Sequence, residues 1–160
     1  MSNAKRVLLE NVCYHLMTRG NQKQEIFRSR EDYLTYLALL RRFKQKYKFR
    51  IYAWCLMPNH VHILGEIENY LALSKFMHDL NRTYTSYFNN NHKKVGHLWQ
   101  GRFKSMIITK NRYLIDCINY IELNPLRSNL VKQISEYSWT SYNARALGKN
   151  DKILDQLCVD

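Results

Sequence analysis

The stretch LMPNHVHILG, residues 56–65, joins two apolar segments through a Pro-Asn pair. The segment before the pair, FRIYAWCLM (49–57), and the segment after it, HVHILGEI (60–67), are rich in aromatic and branched residues, which favour strands. We therefore predict a β-hairpin. Alternate side chains of a strand share one face, so His60 and His62 are expected to lie side by side.

The segments on either side of this hairpin predict helices that alternate with further strands. The predicted elements are a strand over 11–20, helices over 29–47 and 73–89, a polar loop over 89–97, a bend and strand within 98–109, and a helix over 111–124. Proline disfavours helical geometry in the residue before it, so Pro125 is expected to stop the last helix. This order predicts an α+β protein with a ferredoxin-like βαββαβ sandwich, a mostly antiparallel sheet, and a C-terminal helix and tail.

The length of 160 residues predicts a single domain over residues 1–160. Within it, residues 1–10 are a candidate disordered segment, 135–147 are expected to pack back on the body, and 148–160 form a tail. A hydrophobic content of 46% excludes a disordered chain. The sequence has no apolar run of membrane-spanning length and no secretory leader pattern, and its four cysteines are widely spaced. We therefore expect a cytoplasmic protein with reduced thiols and no membrane partner.

The chain carries 25 Lys and Arg residues against 13 Asp and Glu residues, a formal net charge of +12. Such an excess indicates a polyanionic partner, although an anionic membrane surface or simple solubility would also account for it. The 12 tyrosines favour single-stranded nucleic acid, because unpaired bases stack on aromatic rings. Alternatively, most of these tyrosines are ordinary residues of the core and its rim.

Two imidazoles on one strand face are suited to holding a divalent metal ion. The alternatives are two surface histidines, or two core histidines hydrogen-bonded to the backbone. A complete site needs a further donor from another element and open positions for substrate. In NYIELNP, Tyr120 and Asn124 are four residues apart and would share one helix face, where Asn124 offers an amide oxygen.

Tyr120 is also a candidate nucleophile. Attack of a tyrosine on a DNA phosphodiester would give a 5′-phosphotyrosine and a free 3′-hydroxyl, whereas a metal-activated water would give plain hydrolysis. Tyr113, two helical turns earlier, is the rival. We favour Tyr120 because of its one-turn spacing from Asn124.

Four segments together resemble a known family: YHLMTRGNQKQEIF, WCLMPNHVHIL, GHLWQGRFKS and YIELNPLRSNLV. They resemble the single-tyrosine HUH transposases of bacterial insertion sequences and, more narrowly, are similar to REP-associated tyrosine transposases, over roughly residues 11–145. The resemblance implies a transposase that cleaves and rejoins single-stranded DNA at hairpin-forming palindromic ends. It also implies a 5′-phosphotyrosine intermediate and Mg²⁺ or Mn²⁺ as cofactor.

The resemblance implies metal binding by His60 and His62 and catalysis by Tyr120, and it places Asn124 where the family has a further polar metal ligand, often glutamine. The implied DNA-binding residues are Arg19, Trp99, Gln100, Arg102 and Lys104. Trp99 could instead be a core anchor, and Arg19 a solvated residue. Monomer and homodimer both remain open. Two other functions are considered: a domesticated DNA-binding protein that no longer cuts, and a metal nuclease that uses water.

Overall fold

The computed structural model describes residues 12–109 and 112–157, and its elements follow the predicted order. The strands are β1 (Cys13–Arg19), β2 (Phe49–Met57), β3 (His60–Ile67) and β4 (Lys104–Ile108). The helices are α1 (Arg30–Tyr47), α2 (Leu71–His92), α3 (Arg112–Glu122), α4 (Asn124–Arg127) and α5 (Tyr142–Leu147). The candidate disordered segment 1–10 and the end of the tail, 158–160, lie outside the described residues.

The four strands form one sheet in the order β2-β3-β1-β4, and every neighbouring pair is antiparallel. β1 and β2 therefore run parallel to each other with β3 between them, and α1 makes the connection from β1 to β2. This is the split βαβ arrangement of the ferredoxin-like fold. The predicted fold class is confirmed.

Strand alternation distributes the side chains of the sheet between two apolar clusters. Val61 and Ile63 belong to the larger cluster, which includes buried residues of α1 and α2. Leu64 belongs to the second cluster, which includes Leu114 and Ile118 of α3. His60 and His62 have the same parity along β3 as Leu64, so they lie on the sheet face that α3 covers.

α1 begins as predicted, with Ser29 as its N-cap: the Ser29 hydroxyl accepts from the Asp32 backbone N–H at 3.3 Å. α2 is longer than predicted and ends at His92, so the predicted loop over 89–97 begins only at 93. Its last turn is stabilised because Phe88 is fully buried and the His92 ring contacts the Asp32 carboxylate at 2.8 Å.

The predicted helix over 111–124 ends two residues early, and a second, short helix begins at Asn124. α3 ends at Glu122, Leu123 departs from helical geometry with φ −93° and ψ 6°, and α4 begins at Asn124. Pro125 does not stop a helix here. It lies in the first turn of α4, where its missing N–H needs no intrahelical partner.

The segment after α4 packs back on the sheet, as predicted for 135–147. The Leu56 N–H donates to the Trp139 carbonyl, and the Ser141 N–H donates to the Trp54 carbonyl. Further along, Asp155 accepts from the Ile51 N–H. Across residues 12–109 and 112–157, no helix combines the length and apolarity that crossing a membrane requires.

Candidate active site and nucleic-acid surface

The two histidines of β3 point toward α3 with their ring centroids 4.9 Å apart. The Nδ1 atom of His60 lies 2.7 Å from the Asn59 amide oxygen. With the amide in this orientation its oxygen can only accept, so Nδ1 of His60 would carry the proton and Nε2 would keep a lone pair. A partner on one ring nitrogen is what orients a metal-binding histidine toward its metal.

A third histidine, His15 on β1, completes this cluster, and the sequence analysis did not single it out. Its Nε2 atom lies 2.8 Å from Nδ1 of His62, and the two ring centroids are 5.1 Å apart. The β1–β3 register places Met17 opposite His62, so His15 is its diagonal neighbour on the same face. If His62 donates through Nδ1, its Nε2 is left as the second lone pair of the site.

Burial lowers the pKa of all three imidazoles. Desolvation, followed by the positive charge of Arg19, lowers the pKa of His60 to about 4. Desolvation also lowers the pKa of His62 to about 3, with smaller contributions from neighbouring histidines, Arg127 and Arg19. The pKa of His15 is lowered by burial as well. The imidazoles are therefore neutral at pH 7, which is the state that can bind a metal ion.

Tyr120 of α3 lies beside this cluster, with its ring centroid 6.1 Å from His62 and 6.3 Å from His15. Its side chain is 52% exposed, so substrate can reach it. The Arg127 guanidinium lies 4.1 Å from the Tyr120 ring centroid and donates to the Tyr120 carbonyl at 2.5 Å. Arg127 is a second site residue that the sequence analysis missed. The predicted helix ended at 124, before Arg127, so helical spacing gave no signal for it.

Asn124 also lies at the cluster, although the break at Leu123 separates it from α3. Its Nδ2 atom is 3.5 Å from Nε2 of His60, and its Oδ1 atom accepts from the Ser128 hydroxyl at 3.1 Å. Turning the amide by half a rotation would place the oxygen toward His60. α4 therefore brings a potential oxygen donor to the two histidines.

Tyr113, the rival nucleophile, lies in the first turn of α3 and is 56% exposed. The guanidinium of Arg112 lies 5.5 Å from its ring centroid. Tyr120 is the tyrosine whose ring contacts with His15 and His62 the structure describes.

The side chains gathered here would supply only some of the ligands of a metal ion and would leave coordination positions for water and substrate. Nε2 of His60 lies 3.5 Å from the Asn124 amide, and the His62 ring lies beside that of His60. In the part of the chain that the structure describes, no three His, Cys, Asp or Glu side chains form a metal-binding group. A bound cation would therefore take its remaining ligands from Asn124, water and substrate oxygens. That mixed set suits Mg²⁺ or Mn²⁺.

Arg19 and Lys104 extend the site along the sheet. Arg19 lies opposite His60 in the β1–β3 register, and its charge acts on the pKa of both β3 histidines. Its Nε atom is buried and has no hydrogen-bond partner among the described residues. Lys104 lies opposite Met17, on the same face as His62, and is exposed.

The other three predicted DNA-binding residues lie in the 96–103 segment before β4. Trp99 and Arg102 line an open groove of about 1250 Å³ between this segment and α2. Trp99 is half-buried against the core and donates its indole N–H to the Asn81 carbonyl at 3.2 Å, as an anchor would. Gln100 is exposed, and its backbone N–H donates to the Arg19 carbonyl at 2.8 Å.

Comparison with known proteins identifies the family. A family model described as "Transposase IS200 like" matches residues 9–124, more than half of the 160 residues. The chain therefore belongs to the IS200-like transposase family, and the predicted resemblance to the transposases of insertion sequences is confirmed.

Curated relatives narrow the resemblance to REP-associated tyrosine transposases. A Haemophilus influenzae protein provisionally named a REP-associated tyrosine transposase is 26% identical over an alignment of 110 residues, and the match covers 62% of this chain and 62% of that protein. The REP-associated tyrosine transposase of Escherichia coli K12 is 21% identical over 89% of this chain and 84% of its own length. The chain thus spans about three fifths of the first relative and most of the second.

Solved structures show the same fold. A REP-associated tyrosine transposase bound to a REP hairpin has a TM-score of 0.75 and 20% identity, with 100% of this chain and 94% of that chain covered. The tRNA(His) guanylyltransferase of Saccharomyces cerevisiae has a TM-score of 0.56 and 13% identity, with 80% and 64% covered. Since a nucleotidyltransferase shares the fold, function must be argued from the site.

Proposed function

We propose that this protein is a divalent-metal-dependent transposase that cleaves single-stranded DNA at hairpin ends and rejoins it through a phosphotyrosine at Tyr120. One observation carries the proposal. The Tyr120 ring centroid lies 6.1 Å from that of His62, which is in turn 4.9 Å from that of His60 on the same sheet face.

In the proposed cleavage step, the Tyr120 phenolic oxygen attacks the phosphorus of a DNA phosphodiester. The new bond joins the tyrosine oxygen to phosphorus, and the bond between phosphorus and the 3′-oxygen breaks. The leaving 3′-oxygen gains a proton, and the phenol loses one to water, so the products are a 5′-phosphotyrosine and a 3′-hydroxyl. Attack by another 3′-hydroxyl on the phosphotyrosine reverses the step and rejoins the strand.

The cluster assigns a role to each neighbour of Tyr120. His60, His62 and, through its amide oxygen, Asn124 would hold Mg²⁺ or Mn²⁺. When bound, the metal would polarise a phosphoryl oxygen and offset the charge that develops in the transition state. The Arg127 guanidinium contacts the Tyr120 ring and carbonyl, and its positive charge acts on His62. Arg19, the register partner of His60, would bring positive charge to a phosphate bound beside the histidines.

The proposed substrate is a DNA hairpin with a single-stranded flank. Three observations support this proposal: the net charge of +12, family membership, and the structural neighbour that is bound to a REP hairpin. Arg19 lies opposite His60, and Lys104 is on the sheet face of His62. Gln100 adjoins Arg19 through its backbone N–H, and Trp99 and Arg102 line the groove, so we propose that the DNA follows these residues.

The decisive experiment incubates the protein with an oligonucleotide that carries the palindrome flanking its own gene, in the presence of Mn²⁺. We expect a covalent protein–DNA adduct that survives denaturing electrophoresis. Tyr120→Phe should abolish the adduct, because it removes the nucleophilic oxygen and keeps the ring. Tyr113→Phe is the matched control and should retain it.

The same assay separates the alternatives. Cut DNA without an adduct would indicate water as the nucleophile, and bound DNA without cleavage under any metal would indicate a binding protein. An adduct that survives Tyr120→Phe would remove Tyr120 from its role. We expect Mn²⁺ to support the reaction at least as well as Mg²⁺, because imidazole is softer than the oxygen ligands that Mg²⁺ prefers.

A further inference from the structure

The groove between α2 and the 96–103 segment has a cationic side that the proposed chemistry does not use. Lys75, His78, Arg82 and Ser86 line it from α2, and all four are exposed. They follow one another at spacings of three or four residues, so they form one stripe of about 16 Å along the helix. Arg102 lines the groove from the other side.

The charge of the groove is positive. Among its described lining residues, Asp79 is the one acid, and it is already engaged: the Tyr47 hydroxyl donates to its carboxylate, and the Lys46 ammonium lies 3.5 Å from it. Lys75, Arg82 and Arg102 therefore face the open groove without a compensating carboxylate in this lining. Cations beside hydroxyl groups such as that of Ser86 are the groups that contact phosphate and sugar in protein–DNA complexes.

The size of the groove favours a polymer over a small molecule. Its volume of about 1250 Å³ exceeds the roughly 300–1,000 Å³ of pockets that bind small ligands. The 96–103 side of the groove is also connected to the strand that borders the histidine site. Trp99 bridges to Gly20, and the Gln100 N–H bonds to the Arg19 carbonyl, so the groove wall is joined directly to the end of β1. Arg19 is in turn the register partner of His60.

We propose that this groove holds the phosphate backbone of the duplex stem of the DNA hairpin, through Lys75, Arg82 and Arg102. The single-stranded flank then passes the Arg19–Gln100 edge to Tyr120. Because these contacts are to phosphates, they fix the position of the hairpin and do not read its stem sequence. The inference rests on the proposed function and names the surface that receives the substrate.

The test compares Lys75→Ala/Arg82→Ala with wild type by fluorescence anisotropy, using a labelled DNA hairpin and a second hairpin with a shuffled, still paired stem. Salt is varied between about 50 and 200 mM, because each phosphate contact contributes about 0.9 to the slope of log affinity against log salt. We expect the double variant to bind both hairpins more weakly and to reduce the slope by about 2.

The matched control is Arg41→Ala/Arg42→Ala, which removes the same charge from exposed positions of α1 outside the groove. It should change the slope little. An unchanged slope in the groove variant, or an equal loss of affinity in both variants, would overturn the groove as the stem site.

Adduct formation is measured in parallel. If wild type binds the hairpin through the groove but forms no adduct, the proposed catalysis is wrong and the assignment of the groove to the stem is retained.

Discussion

At the scale of single residues, His15 can determine which ring nitrogen of His62 carries the proton. Nδ1 of His62 can donate to Nε2 of His15 at 2.8 Å, and that arrangement leaves Nε2 of His62 without a proton. Without His15, the proton of His62 could sit on either nitrogen. His15 is thus a positioning residue for the proposed metal site, acting through His62.

We expect His15→Phe to weaken Mn²⁺ binding by about 10–100-fold, the usual cost of losing a partner of a metal-binding histidine. The phenyl ring keeps much of the imidazole's shape but cannot accept the His62 proton. Calorimetry on the isolated protein would measure the affinity, and nitrogen NMR of the metal-free protein should show His62 changing from one tautomer to a mixture.

His15→Gln should recover part of both effects, because an amide oxygen can accept the same proton. His97→Phe, at an exposed position in the loop before β4, is the control and should alter neither. Unchanged affinity and tautomer in His15→Phe would show that His15 only fills space.

At the scale of elements, Asp32 links the start of α1 to the end of α2. Its buried carboxylate accepts from the Arg28 N–H at 2.9 Å and the Tyr87 hydroxyl at 2.9 Å, and it contacts the His92 ring at 2.8 Å. Burial alone would raise the pKa of Asp32. The hydrogen bonds from Arg28, His92 and Tyr87 outweigh it and hold the pKa below the ordinary value of 3.8.

We expect Asp32→Asn to lower the free energy of unfolding by about 1.5–3 kcal/mol at pH 7, as for other hydrogen bonds to a charged group. Because the pKa of Asp32 in the folded protein is below 3.8, the ionised carboxylate stabilises the folded state at pH values above 3.8. Its contribution is lost as the pH falls through the folded value. The difference between variant and wild type, measured by urea unfolding, should therefore shrink on acidification.

Glu31→Gln is the control for this measurement. It removes the same charge from the first turn of α1 at an exposed position, so the two variants share any helix-dipole effect. Equal destabilisation by both, or a difference that persists below the folded pKa, would contradict the role given to Asp32.

At the scale of the whole molecule, α3 crosses the sheet face that carries the histidines of the same chain. The ring contacts from Tyr120 to His15 and His62 are intramolecular. One polypeptide therefore brings together all the side chains of the proposed site. The sequence left monomer and homodimer open, and from these contacts we predict a site that acts in cis.

We expect that mixing Tyr120→Phe with the double variant His60→Ala/His62→Ala gives no adduct. In a cis site each chain lacks an essential group, and mixing cannot supply it. Electrophoresis of the hairpin reaction measures the outcome, and adding wild type to each variant checks that neither inhibits it. Adduct formation in the mixture would show that the tyrosine helix serves a neighbouring chain.

Much of this protein could be predicted from local pattern. The strand alternation placed His60 and His62 on one face, Ser29 marked the start of α1, and the order of elements indicated the ferredoxin-like fold. These features depend on residues within a few positions of one another, where periodicity and capping act directly.

What required the tertiary structure depends on contacts between distant segments. His15 meets His62 across 47 residues because of the β1–β3 register, and His92 prolongs α2 because Asp32 reaches it from 60 residues away. Likewise, the chain turns at Leu123 and still brings Asn124 to His60. The sequence determined which side chains could do the chemistry. Strand register and helix packing decided which of them meet, because those depend on long-range burial that no local pattern encodes.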